Sequence, residues 1–288
     1  MKKWHIYPLA LLLIVLSASC SNDEPDGESI FSTEEVQRND FDKWLLENYV
    51  GNYNIDFKYR MEDIETDYTH NLVPADFNLS VKLAKIVKHV WLESYDGAAG
   101  IDFTRANAPK VIHLIGSAYW DDNQYTLGTA EGGLKLTLYL GNWLDPTNTA
   151  QLNKYYFKTM HHEFAHILHQ KKTYPVEFNE ITNGTYSPTG WINRTLAEAA
   201  PLGYVTPYAS SEPVEDIAEI TATYLTYTDA QWAEVWAAAG DTGTPLIQQK
   251  IEIMKSYMKT SWGIDVDLLR NIISRRCNEI STLDLDHI

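Results

Sequence analysis

The chain has 288 residues, with 23 lysines and arginines against 39 aspartates and glutamates, for a formal net charge of −16. That anionic excess excludes a nucleic-acid binder, which needs cationic surface to displace counterions from phosphates, and a protein that docks on an anionic membrane through a basic patch. A content of 44% hydrophobic and 12% aromatic residues is enough to bury the core of one large domain or two small ones, and two cysteines, Cys20 and Cys277, are too few for a disulfide scaffold or a thiolate zinc cluster.

Lys2 and Lys3 open the chain, residues 6–16 are apolar apart from Pro8, and Ser17-Ala18-Ser19 precede Cys20. The apolar run is too short to span a bilayer as an ordinary helix. The order basic, apolar, small, cysteine resembles a bacterial lipoprotein signal peptide, cleaved before a cysteine that becomes diacylated, although Ser17 stands where that signal usually has Leu. The alternative is an ordinary secretory signal with a chance cysteine. This reading divides the chain into a signal peptide (residues 1–19), an acidic tether (20–32) and a single domain (33–288). Losing the two lysines of the signal takes the net charge from −16 to −18. The acidic run after Cys20 resembles the surface-export signal of Bacteroidota lipoproteins and equally suits a plain solvated linker. Cys277 lies in a helical pattern and reads as a small buried apolar residue.

Residues 33–50 read as a helix, with a Ser/Thr start, Glu34-Glu35 in the first turn and Phe41, Trp44 and Leu45 at helical spacing. Residues 53–61 alternate, Tyr53, Ile55, Phe57, Tyr59 and Met61 against polar neighbours, as in a half-buried strand. A second helix is predicted over 78–95, a strand over 110–117 and another strand over 133–140, where Leu134, Leu136, Leu138 and Leu140 alternate. From about 148 the pattern is almost wholly helical: a long helix to about 171, a loop-rich insertion over 172–194, then helices over 213–227, 229–239, 244–261 and 265–280. There is no internal repeat, and strands first with helices later argue for an α+β fold.

The sharpest chemical signal is His162-Glu163-Phe164-Ala165-His166 inside the long helix. Residues four apart lie about 40° apart around a helix and one turn up, so the two imidazoles converge on one point suited to a divalent metal, most often zinc. Glu163 is offset from the pair, where it can accept a proton from a metal-bound water. Catalytic zinc needs a third protein ligand. His161 points off the ligand face. His169 shares the face but lies two turns, about 10 Å, from His162, too far for one ion to bind all three histidines of a straight helix. The metzincin continuation is absent, because its positions hold His169 and Lys172. Downstream, Pro213 fits the first turn of a helix on which Glu215 and Glu219 share a face that continues into apolar Ala222. Two stacked carboxylates beside a core are costly unless a cation compensates. Glu215 is therefore the expected third ligand and Glu219 the acceptor for a ligand imidazole N–H; an exposed acidic helix start is the competing reading for this pair.

Tyr208, Glu215 seven residues on, and Asp216-Ile217-Ala218-Glu219 resemble the second motif of gluzincin metallopeptidases of the anthrax-lethal-factor type, as does the long spacer after His166. The departure is Glu212, where that group often has Asn before the Pro. The resemblance implies a zincin-like fold, with strands and helices packed on the active-site helix before a mostly helical C-terminal half. It also implies a tyrosine hydroxyl, here Tyr208, that stabilises the oxyanion or the leaving group. With the lipoprotein start, the whole chain is similar to the Bacteroidota zinc-binding metallopeptidase lipoproteins (substrate import-associated zinc metallohydrolases) found alongside starch-utilisation-type outer-membrane importers.

The expectation is a zinc-dependent metallopeptidase, lipid-anchored through Cys20 at the bacterial outer membrane or cell surface. Its substrate would be a peptide or protein, its partners importer components, and its only membrane attachment the anchor. Two other readings stay open: a non-catalytic zincin-fold accessory that captures substrate for an importer, and zinc-dependent hydrolysis of a non-peptide amide or ester. The strand over 133–140 is a candidate for the sheet edge that pairs with extended substrate, or else a plain internal strand. Among the aromatics, Trp44, Trp91 and Trp232 fall on apolar helical faces and read as core, whereas Tyr119-Trp120, followed by Asp121-Asp122-Asn123, reads as a loop that could line a cleft.

Overall fold

Helix α1 (residues 40–53) starts later than its composition suggests. In the computed structural model, which describes residues 37–62, 69–121 and 124–288, residues 37–39 are non-helical and Asn39 is the N-cap. Its side chain accepts from the Asp42 backbone N–H while the Asp42 carboxylate accepts from the Asn39 N–H. That reciprocal box satisfies two otherwise orphaned donors and fixes the start. The predicted signal peptide, tether and lipidation site lie outside the described residues, as does the Glu34-Glu35 turn.

At the other end of α1, Tyr53 is still helical and Asn54 turns the chain with φ 56°. Strand β1 is only Asp56–Lys58, although Ile55, Phe57 and Tyr59 keep the expected inward alternation. Helices α2 (residues 77–99) and α3 (Ile101–Asn107) follow, then β2 (Val111–Leu114), the hairpin of β3 (Tyr119–Asp121) and β4 (Gln124–Thr126), β5 (Gly128–Glu131) and β6 (Lys135–Leu138). The main sheet has the order β1-β2-β6-β5, parallel except for the antiparallel β5–β6 pair, in which Thr129 faces Thr137 and Glu131 faces Lys135.

This topology decides between the two readings of the 133–140 segment. The 133–140 segment forms β6, an internal strand hydrogen-bonded on both sides. The sheet edge is β5, a Gly-Thr-Ala-Glu strand with no apolar alternation to mark it. The carbonyls of Leu127 and Glu131 accept from Tyr139 and Leu134 on the β6 side. By the alternation of an antiparallel ladder, Gly128 and Ala130 turn their backbone groups away from the sheet.

The C-terminal half is helical, giving a mixed α+β molecule. Helix α4 (residues 149–171) includes a π turn at Asn153–Phe157 and packs Phe164 against Trp91 and Tyr95. The insertion carries α5 (Glu177–Glu180) and a 3₁₀ turn at Trp191–Asn193; α6 (Leu196–Ala199) runs into a 3₁₀ turn at Ala200–Leu202, and another covers Tyr208–Ser210. Helix α7 (Pro213–Thr226) lies against α4, and α8 (Asp229–Trp262) and α9 (Val266–Glu279) complete the fold. The predicted split of α8 is visible as a break at Gly240, whose φ of 57° and ψ of −160° are non-helical. Beyond it, Gly243 lies against the Ala200 turn so closely that a Cβ would meet the Ala200 carbonyl oxygen at 2.0 Å. Trp91, Trp232 and Cys277 are buried, and Trp44 packs at the core margin. Among the described residues no helix is long and apolar enough to cross a membrane.

Candidate metal centre

Helices α4 and α7 bring three ligand atoms together. His162 Nε2 and His166 Nε2 are 3.0 Å apart, and Glu215 Oε2 lies 3.0 Å from the first and 3.2 Å from the second. Tetrahedral zinc with bonds of about 2.0 Å separates its ligand atoms by about 3.3 Å, so the triangle has the size this ion requires. The field around it also favours a cation. Burial opposes a charged His162, yet hydrogen bonds to Glu215 and Glu219 raise its pKa to about 9. Burial likewise raises the Glu215 carboxyl, and the two histidines more than offset it, holding it well below the ordinary range. Two imidazoles and a carboxylate converging within 3.2 Å are a fitting donor set for Zn²⁺.

Each histidine is oriented from behind, by different means. His162 Nδ1 lies 3.0 Å from Glu219 Oε1. Glu219 is 3% exposed and also accepts two hydrogen bonds from Lys158, at 2.7 and 2.8 Å, and one from the Thr206 hydroxyl. His166 Nδ1 lies 2.8 Å from His169 Nε2. Burial, reinforced by the neighbouring His166, lowers the His169 pKa to about 4, so this ring is neutral, and its Nε2 accepts from His166 Nδ1–H whenever His166 offers its Nε2 lone pair to a metal. The shared face of His169 and His166 is legible in the sequence, but the contact between the two rings is not. His161 is fully buried, with Nδ1 3.0 Å from the Tyr95 hydroxyl.

Glu163 and Tyr208 line, with His162 and Glu219, a cavity of about 730 Å³. Burial raises the Glu163 carboxyl, His162 and His166 oppose the rise, and the Ala130 backbone N–H donates to it. The Tyr208 ring sits 5.8 Å from His162 and 4.8 Å from Trp191. Burial pushes its hydroxyl far above the ordinary phenol range, helped by the adjacent Glu215 carboxylate to which it is hydrogen-bonded. Residues the sequence did not single out complete the lining: Tyr125, Thr126, Leu127, Gly128, Trp191, Ile192, Lys154 and Lys158. Tyr119 and Trp120 belong to the β3–β4 hairpin, whose second strand supplies Tyr125 and Thr126; Trp120 itself is exposed.

A second network fixes the start of α7. Asp216, next to Glu215, is fully buried with its Oδ2 2.5 Å from Lys250 Nζ, which is also fully buried. Lys250 donates to the Gly203 carbonyl at 2.9 Å and lies 4.2 Å from the Tyr204 ring centroid, and the Tyr186 hydroxyl donates to Asp216.

Convergent His, His and Glu donors on two packed helices beneath a small mixed sheet define a zinc-binding protein of the zincin-like class. The chain belongs to the family described as "Putative zinc-binding metallo-peptidase", whose model matches residues 34–267. It is also similar to the crystal structure of a "putative zinc-binding metallo-peptidase" from Bacteroides caccae ATCC 43185, at 69% sequence identity and a TM-score of 0.80, covering 90% of this chain and 100% of the other. No curated protein matches it.

Proposed function

We propose that this protein is a zinc-dependent peptidase of the gluzincin type, with His162, His166 and Glu215 as metal ligands, Glu163 as general base and Tyr208 as donor to the developing oxyanion. The observation that carries this reading is the donor triangle of 3.0–3.2 Å edges opening on the cavity that Glu163 and Tyr208 line. When bound, Zn²⁺ polarises the scissile carbonyl and brings the pKa of a water toward neutrality. Glu163, made more basic by burial, accepts the proton from the attacking water and returns it to the leaving nitrogen. Tyr208 stays protonated across the physiological range and so keeps a proton to donate where negative charge develops. Glu219 and His169 hold the two imidazoles in the tautomer that leaves each Nε2 lone pair free. Strand β5 offers the outward backbone groups of Gly128 and the Ala130 carbonyl to an extended peptide, the Ala130 N–H being taken by Glu163.

Glu163→Gln is expected to lower kcat/KM on a peptide library by about 10²- to 10⁴-fold without releasing zinc, and a chelator is expected to abolish turnover. Unchanged hydrolysis in both experiments overturns the proposal, and tight peptide binding with no cleavage by the zinc-loaded wild type would favour the accessory-binder reading. The same proposal includes lipid attachment at Cys20, residence at the outer membrane and association with a nutrient importer, supported by the order of residues 1–20 and by the resemblance to importer-associated lipoproteins. Fatty-acid labelling of the expressed full-length chain, lost in Cys20→Ser, tests the anchor.

A further inference from the structure

The cavity has a direction, and the direction follows from how β5 runs along α4. A Cβ on Gly128 would meet the Thr159 side chain at 2.5 Å, the Ala130 N–H reaches Glu163, and a Cβ on Gly133 would meet Gln170 at 3.4 Å and Ile167 at 3.9 Å. Strand and helix therefore advance together. A peptide that adds to the free edge of β5 in the intrinsically favoured antiparallel sense runs the opposite way. Its N-terminal half lies toward the Gly133 end, and its C-terminal half passes Gly128 and Thr159 toward Lys158 and Lys154. The cavity extends in that second direction, since Tyr125, Thr126, Leu127 and both lysines line it.

The two lysines differ in what they have to spare. Lys158 is committed to Glu219 at 2.7 and 2.8 Å. Lys154 is exposed, its ammonium lies 5.1 Å over the Tyr155 ring, and it also acts on the Tyr125 hydroxyl. Among the described residues no carboxylate pairs with it. In a chain with a net charge of −16, a free ammonium among the residues lining the substrate cavity is a local reversal of sign. It stands two helical turns before His162, about 12 Å along the axis, a distance spanned by about four extended residues.

We infer that Lys154 selects substrates carrying a carboxylate within about four residues on the C-terminal side of the scissile bond, either as an acidic side chain or as the peptide's own C-terminus. This rests on the proposed peptidase reading for the placement of the scissile bond. An exposed ammonium that no carboxylate neutralises attracts a carboxylate carried along the cleft toward it.

The test separates this inference from the peptidase reading by using binding in place of turnover. Zinc-loaded Glu163→Gln protein is titrated with four peptides of one apolar sequence: uncharged and amide-capped, with Asp in the C-terminal half, with Asp in the N-terminal half, and uncharged with a free C-terminal carboxylate. The expectation is three- to tenfold tighter binding for a charge on the C-terminal side, weakening as salt rises, with the two C-terminal arms distinguishing side chain from chain terminus. Adding Lys154→Met should flatten the preference, Lys154→Glu should invert it and Lys154→Arg should restore it. Equal binding of all four peptides, a preference for the N-terminal Asp, or a preference that survives Lys154→Met overturns the inference. Cleavage of the same peptides by the wild type is read separately: no cleavage counts against the peptidase reading and leaves the binding result to decide this one.

Discussion

Helix α7 buries two carboxylates three residues apart, each against a lysine from another helix, and their proton affinities move in opposite directions. Burial is the largest influence on both and raises both. In Glu219 it is overcome by the Lys158 charge and the His162 hydrogen bond, and the carboxyl ends well below its ordinary value. In Asp216 it is not overcome by Lys250, and the pKa settles at about 6. The difference lies in the donors. Glu219 accepts four hydrogen bonds over its two oxygens. Asp216 takes both of its hydrogen bonds on Oδ2, and its Oδ1 is buried with no partner. The lysines differ too: the Lys158 side chain is 23% exposed and keeps some water, while Lys250 has none. On the same helix, donor count and access to water, more than depth, decide whether a buried acid is held ionised.

The largest effect should come from the drier pair. Lys250→Met leaves Asp216 buried without its counter-ion and should cost about 3–5 kcal/mol in chemical denaturation. Lys158→Met leaves Glu219 with two donors and should cost clearly less; equal costs would break the comparison.

A smaller effect separates the pairs by the sign of their pH dependence in zinc-free protein. Asp216 has its pKa raised from 3.8 to about 6, so its contribution is fully present below about 4 and is lost as pH rises through 6. Its removal in Asp216→Asn should cancel a downward slope of at most about 3 kcal/mol over that window. Glu219 is depressed below 4.5, so its contribution is present above that value and lost as pH falls. Denaturation from pH 3 to 7 should therefore give Asp216→Asn and Glu219→Gln difference curves of opposite slope.

The smallest effect compares the two partners behind the proposed ligand histidines. A carboxylate makes a ligand imidazole more basic than a neutral ring does, so Glu219→Gln should weaken zinc toward the hundredfold end, and His169→Gln only about tenfold. Competition titration with a chelating dye measures both, and a greater loss for His169→Gln would reverse the ranking.

What the sequence shows and what it hides divides along the same lines. The four-residue spacing of His162 and His166, and of Glu215 and Glu219, is geometry a helix imposes on its own, so it reads directly from the chain. Helix α4 and the break before Gly243 were legible for the same reason, since periodicity and glycine are local signals. Strand β5 was not, because four short residues of mixed polarity carry no period, and the status of β6 as internal or edge depends on a strand that arrives beside it only in three dimensions. Lys250 was hidden more deeply. On its own helix it reads as one more solvated charge, and only the fold sets it against Asp216, 34 residues away. Lys154 and Lys158 fall on the His162 face at i−8 and i−4, so that signal was present and needed only the cavity to give it meaning.

The contact at Gly243 has a reach beyond its own surroundings. The second segment of α8 rests on the Ala200 turn with no side chain between them, and this close seating lets Lys250 grip both Gly203 and Asp216. Glu215 is the next residue along. One hydrogen atom at position 243 thus acts as the shim that sets the gap between helix and turn. A methyl group there would be felt as a change of alignment at Glu215 and so at the candidate metal site, although it touches none of that site's residues.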